Sequence, residues 1–343
     1  MDLLKDRQKS TYEWFKKRIF ELKKEAQSSG GRIVREDIWR CEYYRNPYLL
    51  LEEDETIQER LADVFTNSLD IGANGKISVT PMIDNDARFG RLLIELIEET
   101  NWRGILKEGS IGYASEQLNA YYSNGMPLGV KMFDKLTIEP ENCLLKFSKK
   151  QYVEDMLKYG RFRISPASYY SKGSHIKAIK DLETVRSYRL KAISEILKGE
   201  SHFEFQGLRN PIINGVVPIE FVMGDYYMFC TCNEVSRRMP TDFESDAVLI
   251  IKDKVEFINR LKDELLISFP DWEFLESDVY YYDPYNDTIK DKDQEFYKHF
   301  SYAYQKEHRC IIRPKVKNSA AVNLDAFSIE IGSISDIAEV IIV

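Results

Sequence analysis

Apolar residues fall every three or four positions early in the chain and in short runs later on. Tyr12, Phe15, Ile19 and Leu22 trace one face of an amphipathic helix over about 11–27, closed by Ser28-Ser29-Gly30-Gly31. Ile57, Leu61, Val64, Phe65 and Leu69 do the same over about 55–69, and Phe89, Leu92, Leu93, Leu96 and Ile97 over roughly 86–99. Between these two helices, Lys76-Ile77-Ser78-Val79-Thr80 reads as a strand that Pro81 stops. The acidic run Glu52-Glu53-Asp54-Glu55 suits the positive end of the helix dipole that follows it.

Gly125, Pro127, Gly129 and Pro140 then punctuate residues 120–142, the best boundary in the chain. The expected division is a mainly helical region over 1–140, for targeting or regulation, and a second domain over 141–343. From about 143 short strands dominate. Cys143–Phe147 reads as a strand, and Ser148 with Gln151 forms a capping box for a helix through Tyr152, Val153, Met156 and Leu157 that Gly160 ends. Phe162–Ser165 is the next strand, broken by Pro166 and followed by Ala167-Ser168-Tyr169-Tyr170. Further strands are expected at Val216–Val222, Tyr227–Cys232, Ala247–Ile251, Val279–Tyr282, Glu307–Arg313 and Val340–Val343. A helix carries Val255, Ile258, Leu261 and Leu265, and a short one covers about 292–300. Many short strands with few crossover helices imply an α+β fold with a mostly antiparallel sheet.

Composition narrows the class. The 343 residues are 43% hydrophobic and 30% charged, as in an ordinary globular protein. A net charge of −8 argues against generic duplex-DNA binding but leaves local basic patches open. No apolar run reaches membrane-spanning length and the polar, basic start is no signal peptide, so the expected location is the cytoplasm, with no membrane partner. Five scattered cysteines with no CxxC pair read as reduced thiols, and four histidines without ligand spacing give no reason to expect zinc.

The candidate chemistry lies in Tyr304-Gln305-Lys306-Glu307-His308-Arg309-Cys310, where a polar loop enters an apolar strand. Period-two geometry puts Gln305 and Glu307 on the same side of an extended backbone. The bland reading pairs Glu307 with Arg309 or Lys306 on a sheet edge. Asp181 and Glu183 likewise read as a salt-bridged, solvated face with Arg186 and Arg189. Tyr280-Tyr281-Tyr282 reads as strand packing, or as a stacking face for a base.

The order strand, capped helix, strand, Ser165-Pro166-Ala167-Ser168-Tyr169-Tyr170, later strands, then Gln305-x-Glu307 resembles the ADP-ribosyltransferase fold over about 143–343. The resemblance implies a split sheet cupping NAD, with Tyr169 or Tyr170 against the nicotinamide and Glu307 as the catalytic carboxylate. Phe229-Cys230-Thr231-Cys232 looks like the middle strand that carries Ser-Thr-Ser in arginine-specific members, with cysteine at both serine positions. Ser165, Ser168 and Thr231 join the implied cofactor contacts. The first-strand Arg or His of the family has no match here, and the nearest cations are Lys146 and Arg163. Cleaving the nicotinamide–ribose bond generates an oxocarbenium-like cation, which a fixed carboxylate stabilises. The neutral Gln305 favours an amide, hydroxyl or nucleobase acceptor over arginine, and the resemblance implies Asn, Cys, Thr or a guanine base as the target. The segment Tyr169-Tyr170 … Ala178-Ile179-x-Asp181-x-Glu183, together with Gln305-x-Glu307-x-Arg309, is also similar to bacterial proteins of this fold tied to phage defence and toxin–antitoxin systems. That resemblance implies a toxin-like effector with an RNA or protein acceptor and an antitoxin partner. A non-catalytic nucleotide-binding module, an NAD glycohydrolase and an RNA 2′-phosphotransferase are the alternatives.

Overall fold

The computed structural model describes residues 4–80, 86–106, 119–123, 125–134, 136, 142–172, 176, 178–290, 292–315 and 324–343. Pro81, Pro140 and His175 lie outside the described residues, as does the whole of 137–141. No described helix is long and apolar enough to cross a membrane.

Among the described residues, the first region holds four long helices, α1 (Asp6–Ser28), α2 (Arg35–Arg45), α3 (Asp54–Ser68) and α4 (Ala87–Arg103), together with a short helix, Leu128–Phe133, and a hairpin that pairs Leu69–Ile71 with Ile77–Val79. Phe15 and Leu22 of α1 are buried, with Tyr12 and Ile19 packed at the edge of the same cluster. Asp54 and Glu55 occupy the first turn of α3, as the acidic run implied. Asp86 caps α4 by accepting the Arg88 amide, and Gly104 ends it in the left-handed conformation. Helix α2 has no helical apolar repeat, yet it buries Cys41, Tyr43 and Tyr44. Tyr44 stacks on Phe15 of α1 at 4.7 Å, so tertiary packing decides its conformation.

The later part is α+β. Its main sheet contains β1 (Leu144–Ser148), β2 (Arg161–Pro166), β3 (Tyr227–Cys232), β4 (Ala247–Ile251), β5 (Trp272–Asp278), β6 (Glu307–Pro314), β7 (Phe327–Glu330) and β8 (Ala338–Ile342). The path runs β5-β6-β3-β1-β4-β8, with every pairing antiparallel, and β7 pairs with β2. Helix α5 (Lys150–Tyr159) links β1 to β2, and α6 (Lys254–Ser268) follows β4. Alternate residues of β4 face opposite cores: Ala247, Leu249 and Ile251 meet the α5 and α6 side, while Val248 and Ile250 meet Leu145, Phe147 and Met239. That is why Ala247–Ile251 is a continuous apolar run.

The sheet forks at β3. Cys232, at its end, pairs with Leu145 of β1; Met228 and Tyr227, at its start, pair with Ser165 and Pro166 of β2. Strands β1 and β2 therefore diverge from one neighbour and leave a wedge between them. The Cys230 carbonyl, which the divergence strips of a strand partner, accepts a hydrogen bond from the Lys146 ammonium at 2.7 Å.

Two local expectations change. The capping box at Ser148 and Gln151 does not form: Ser148 is the last residue of β1, and the Lys150 amide is capped by the Asp246 carboxylate at 2.6 Å. The short helix expected over 292–300 is instead a 3₁₀ turn, Gln294–Phe296, followed by a strand, Tyr297–His299. That strand pairs in parallel with Tyr280–Tyr282.

The helical region and the later region share one apolar cluster. Phe15, Tyr43, Tyr48, Leu61 and Leu96 pack with Ile193, Val216, Tyr285, Phe300 and Ala303. Arg60 of α3 reaches across to Asp283 at 2.9 Å and lies over the Tyr285 ring.

Candidate functional site

The wedge is a cleft of about 590 Å³. Lys146 and Phe147 come from β1, Tyr152 from α5, Arg163 and Ser165 from β2, and Phe229–Cys232 from β3. Tyr169 and Tyr170 enter it from a 3₁₀ turn, Ala167–Ser171, that Pro166 forces where β2 leaves the sheet. Their rings meet edge to face at 5.5 Å, and the Arg163 guanidinium lies over Tyr169 at 5.0 Å. Lys146 lies 4.8 Å from the Phe229 ring centre.

The floor is ionic. Glu307 opens β6 and is 6% exposed; Gln305, two residues earlier, is 3% exposed. They do not share a strand face. Gln305 ends a 3₁₀ helix, Phe300–Gln305, and Lys306 takes a left-handed φ of 47°, which interrupts the alternation. Their side chains meet through Lys298, whose ammonium donates to Gln305 Oε1 at 3.0 Å and to Glu307 Oε2 at 2.9 Å. Gln305 Nε2 donates to the Ala178 carbonyl at 2.8 Å. The other Glu307 oxygen accepts from Arg309 Nε at 2.6 Å, and the Glu307 amide donates to the Tyr281 hydroxyl at 2.8 Å.

A second carboxylate stands behind. Arg309 grips Glu183 through both terminal nitrogens at 2.7 Å, and Arg186 reaches Glu183 at 3.1 Å. Glu183 and Arg186 are each 2% exposed, so they form a buried pair and not the solvated face that their spacing suggested. Two carboxylates, Glu183 and Glu307, face three cations, Arg186, Lys298 and Arg309, with Asp181 alongside. Burial alone would push the Glu307 carboxyl up; the charges of Arg309 and Lys298 outweigh it and hold Glu307 well below the usual carboxylate range. The same balance keeps Glu183 low and Lys298 high. Asp181 goes the other way: burial and the Glu183 charge push it up to about 6.

Eight of the nine residues singled out from the sequence therefore converge: Lys146, Arg163, Ser165, Tyr169, Tyr170, Thr231, Gln305 and Glu307 all line the cleft. Ser168 does not, because Asp225 takes both its amide, at 3.0 Å, and its hydroxyl, at 2.6 Å. The Thr231 hydroxyl donates to the His308 carbonyl at 3.3 Å, so its side chain serves the sheet. Cys230 is half-buried at the cleft and Cys232 buried, and burial pushes the Cys230 thiol up, away from nucleophilic use. Lys298, Glu183, Arg309 and Tyr281 complete the site; Glu183 and Arg309 stand in the segment that resembles the defence proteins, whereas Lys298 was not picked out. A lysine inside the aromatic stretch Phe296-Tyr297-Lys298-His299-Phe300 was the available signal, since a lysine is buried only when paired. Among the described residues, no cluster of three His, Cys, Asp or Glu is placed to hold a metal.

No protein-family model matches the chain, and no curated protein or solved structure matches it either.

Proposed function

We propose that the chain is an NAD-dependent ADP-ribosyltransferase that works in the cleft at the sheet fork. The observation that carries this reading is the convergence there of an ionised carboxylate, two tyrosines and two cations from four separate segments. The volume suits a ligand of nucleotide size. Tyr169 and Tyr170 supply the aromatic wall for a flat ring, and Lys146 and Arg163 supply charge for phosphates. Arg163 is exposed, with its guanidinium over the Tyr169 ring, whereas Lys146 is partly committed to the Cys230 carbonyl.

In this reading the glycosidic bond breaks with its electron pair on nicotinamide, which leaves neutral and needs no proton. Glu307, already ionised and held on both oxygens, stabilises the ribosyl cation with no reorganisation at the moment of reaction. The acceptor's lone pair then closes on the anomeric carbon. Gln305 borders the acceptor side with the Oε1 lone pair that Lys298 leaves over, while its amide nitrogen donates to the Ala178 carbonyl and, at 3.4 Å, to the Tyr304 hydroxyl. The sequence resemblance adds a toxin-like role in bacterial anti-phage defence, with RNA or protein as acceptor and an antitoxin as neutralising partner. The test is incubation with labelled NAD and separate protein, RNA and DNA pools. Wild type should label one pool, and Glu307→Gln should label none while melting as a folded protein. Full labelling by a folded Glu307→Gln variant would sink the assignment.

One observation favours a second reading, a nucleotide-binding module without transfer. Both Glu307 oxygens are ion-paired, as in a purely structural network. Under it, NAD raises the melting temperature and no pool is labelled.

A further inference from the structure

Gln305 and Glu307 lie on different elements, separated by a left-handed residue, and nothing in the backbone makes their side chains meet. Among the described residues, the group that contacts both is the Lys298 ammonium. Lys298 is 4% exposed and sits on a third segment, the strand Tyr297–His299. The partner of that strand, Tyr280–Tyr282, carries Tyr281, whose hydroxyl receives the Glu307 amide. One two-stranded unit thus grips Glu307 by side chain and by backbone. Lys298 is gripped in turn: Glu183 Oε1 stands 3.7 Å from its nitrogen and the Tyr302 ring 4.7 Å away.

We propose that Lys298 is the positioning residue of the site, clamping the Gln305 carbonyl to the Glu307 carboxylate so that both are aimed before substrate arrives. This rests on the transferase reading for what the pair is aimed at. A compact ammonium with tetrahedral donors can bridge single oxygens on two residues, whereas the planar fork of an arginine is matched to two oxygens of one carboxylate. Arg309 shows the contrast, spending its fork on Glu183. With Lys298 on one oxygen and Arg309 on the other, Glu307 acts as a fixed charge and is a poor proton acceptor. The acceptor therefore attacks with a lone pair it already has, and any proton it carries leaves to water.

The test uses the full chain with K298M, K298Q and K298R. Two readouts are taken: kcat and KM for NAD between pH 5 and 9, and the carbon-13 carboxyl titration of Glu307, assigned by its absence in Glu307→Gln. K298M and K298Q should lose about a hundredfold in kcat. Their KM for NAD should stay within about threefold of wild type. Their Glu307 carboxyl should titrate at higher pH than in wild type, and K298R should recover part of the kcat. An unmoved Glu307 titration in K298Q, with kcat reduced only by the fraction unfolded, would overturn the proposal in favour of a structural role. If K298M does not fold, K298Q and K298R carry the same comparison. If wild type turns over no NAD, the transferase reading fails separately, and the Glu307 titration still decides whether Lys298 sets the state of that carboxylate.

Discussion

Lys298 and Glu307 come from separate segments and share one buried ion pair, and neither residue alone reveals it. Glu307 was legible because Gln-x-Glu entering an apolar run is unusual chemistry for a strand start. Lys298 was not, because its partners Gln305, Glu307 and Glu183 come from two other segments, and pairing at a distance leaves no spacing in the sequence. The pairing of Glu307 with Arg309 is borne out, at 2.6 Å, on an interior strand and not on a sheet edge. That pairing keeps the carboxylate ionised, which is the state the proposed chemistry uses. Buried charge has a further consequence at His299, which caps the 3₁₀ helix Phe300–Gln305 through its ring nitrogen. Burial, reinforced by the Arg60 charge, lowers its pKa from 6.5 to about 4. Between those values the unfolded chain binds more protons than the folded one, so stability rises with pH across that window. Its contribution is complete above pH 6.5 and is lost as pH falls toward 4. His299→Gln should flatten this slope, which urea unfolding at pH 4.5 and pH 7 would measure.

Elements were legible where a local signal and the tertiary environment agree. The apolar faces of α1, α3 and α4, the Gly160 stop after α5 and the run Ala247–Ile251 all carry their cause within a dozen residues. The failures share a different cause. Helix α2 is held by aromatic contacts to α1, and the segment 292–300 is drawn into a strand by Tyr280–Tyr282. At α5 the capping signal was present in Ser148 and Gln151, but β1 keeps Ser148 as its last strand residue and Asp246 caps instead. This substitution of one cap for another is testable. Asp246→Ala should destabilise by about 1 kcal/mol in chemical denaturation, whereas Ser148→Ala should be close to neutral. The reverse order would restore the capping box.

At the scale of the molecule, the boundary expected at residues 120–142 separates two kinds of sequence, yet the apolar core crosses it. Leu61, Leu96 and Tyr48 on one side pack with Phe300, Ala303 and Tyr285 on the other, and Arg60 bonds Asp283 across the join. A chain beginning at residue 143 would expose that face, the one that backs Tyr281 and the 3₁₀ helix ending at Gln305. It should therefore fail to give a cooperative thermal transition, and a sharp transition matching the full chain would contradict this. The composition change at the boundary was visible because it is local; the shared core was not, because it joins residues about 200 positions apart. The fork at β3 has a mechanical consequence. Both walls of the cleft hang on opposite ends of β3, and β6 pairs with β3 along its whole length, so the backing strand holds the two walls at one spacing. The cleft is a notch in a sheet that stays continuous behind it, and its width is inherited from that backing.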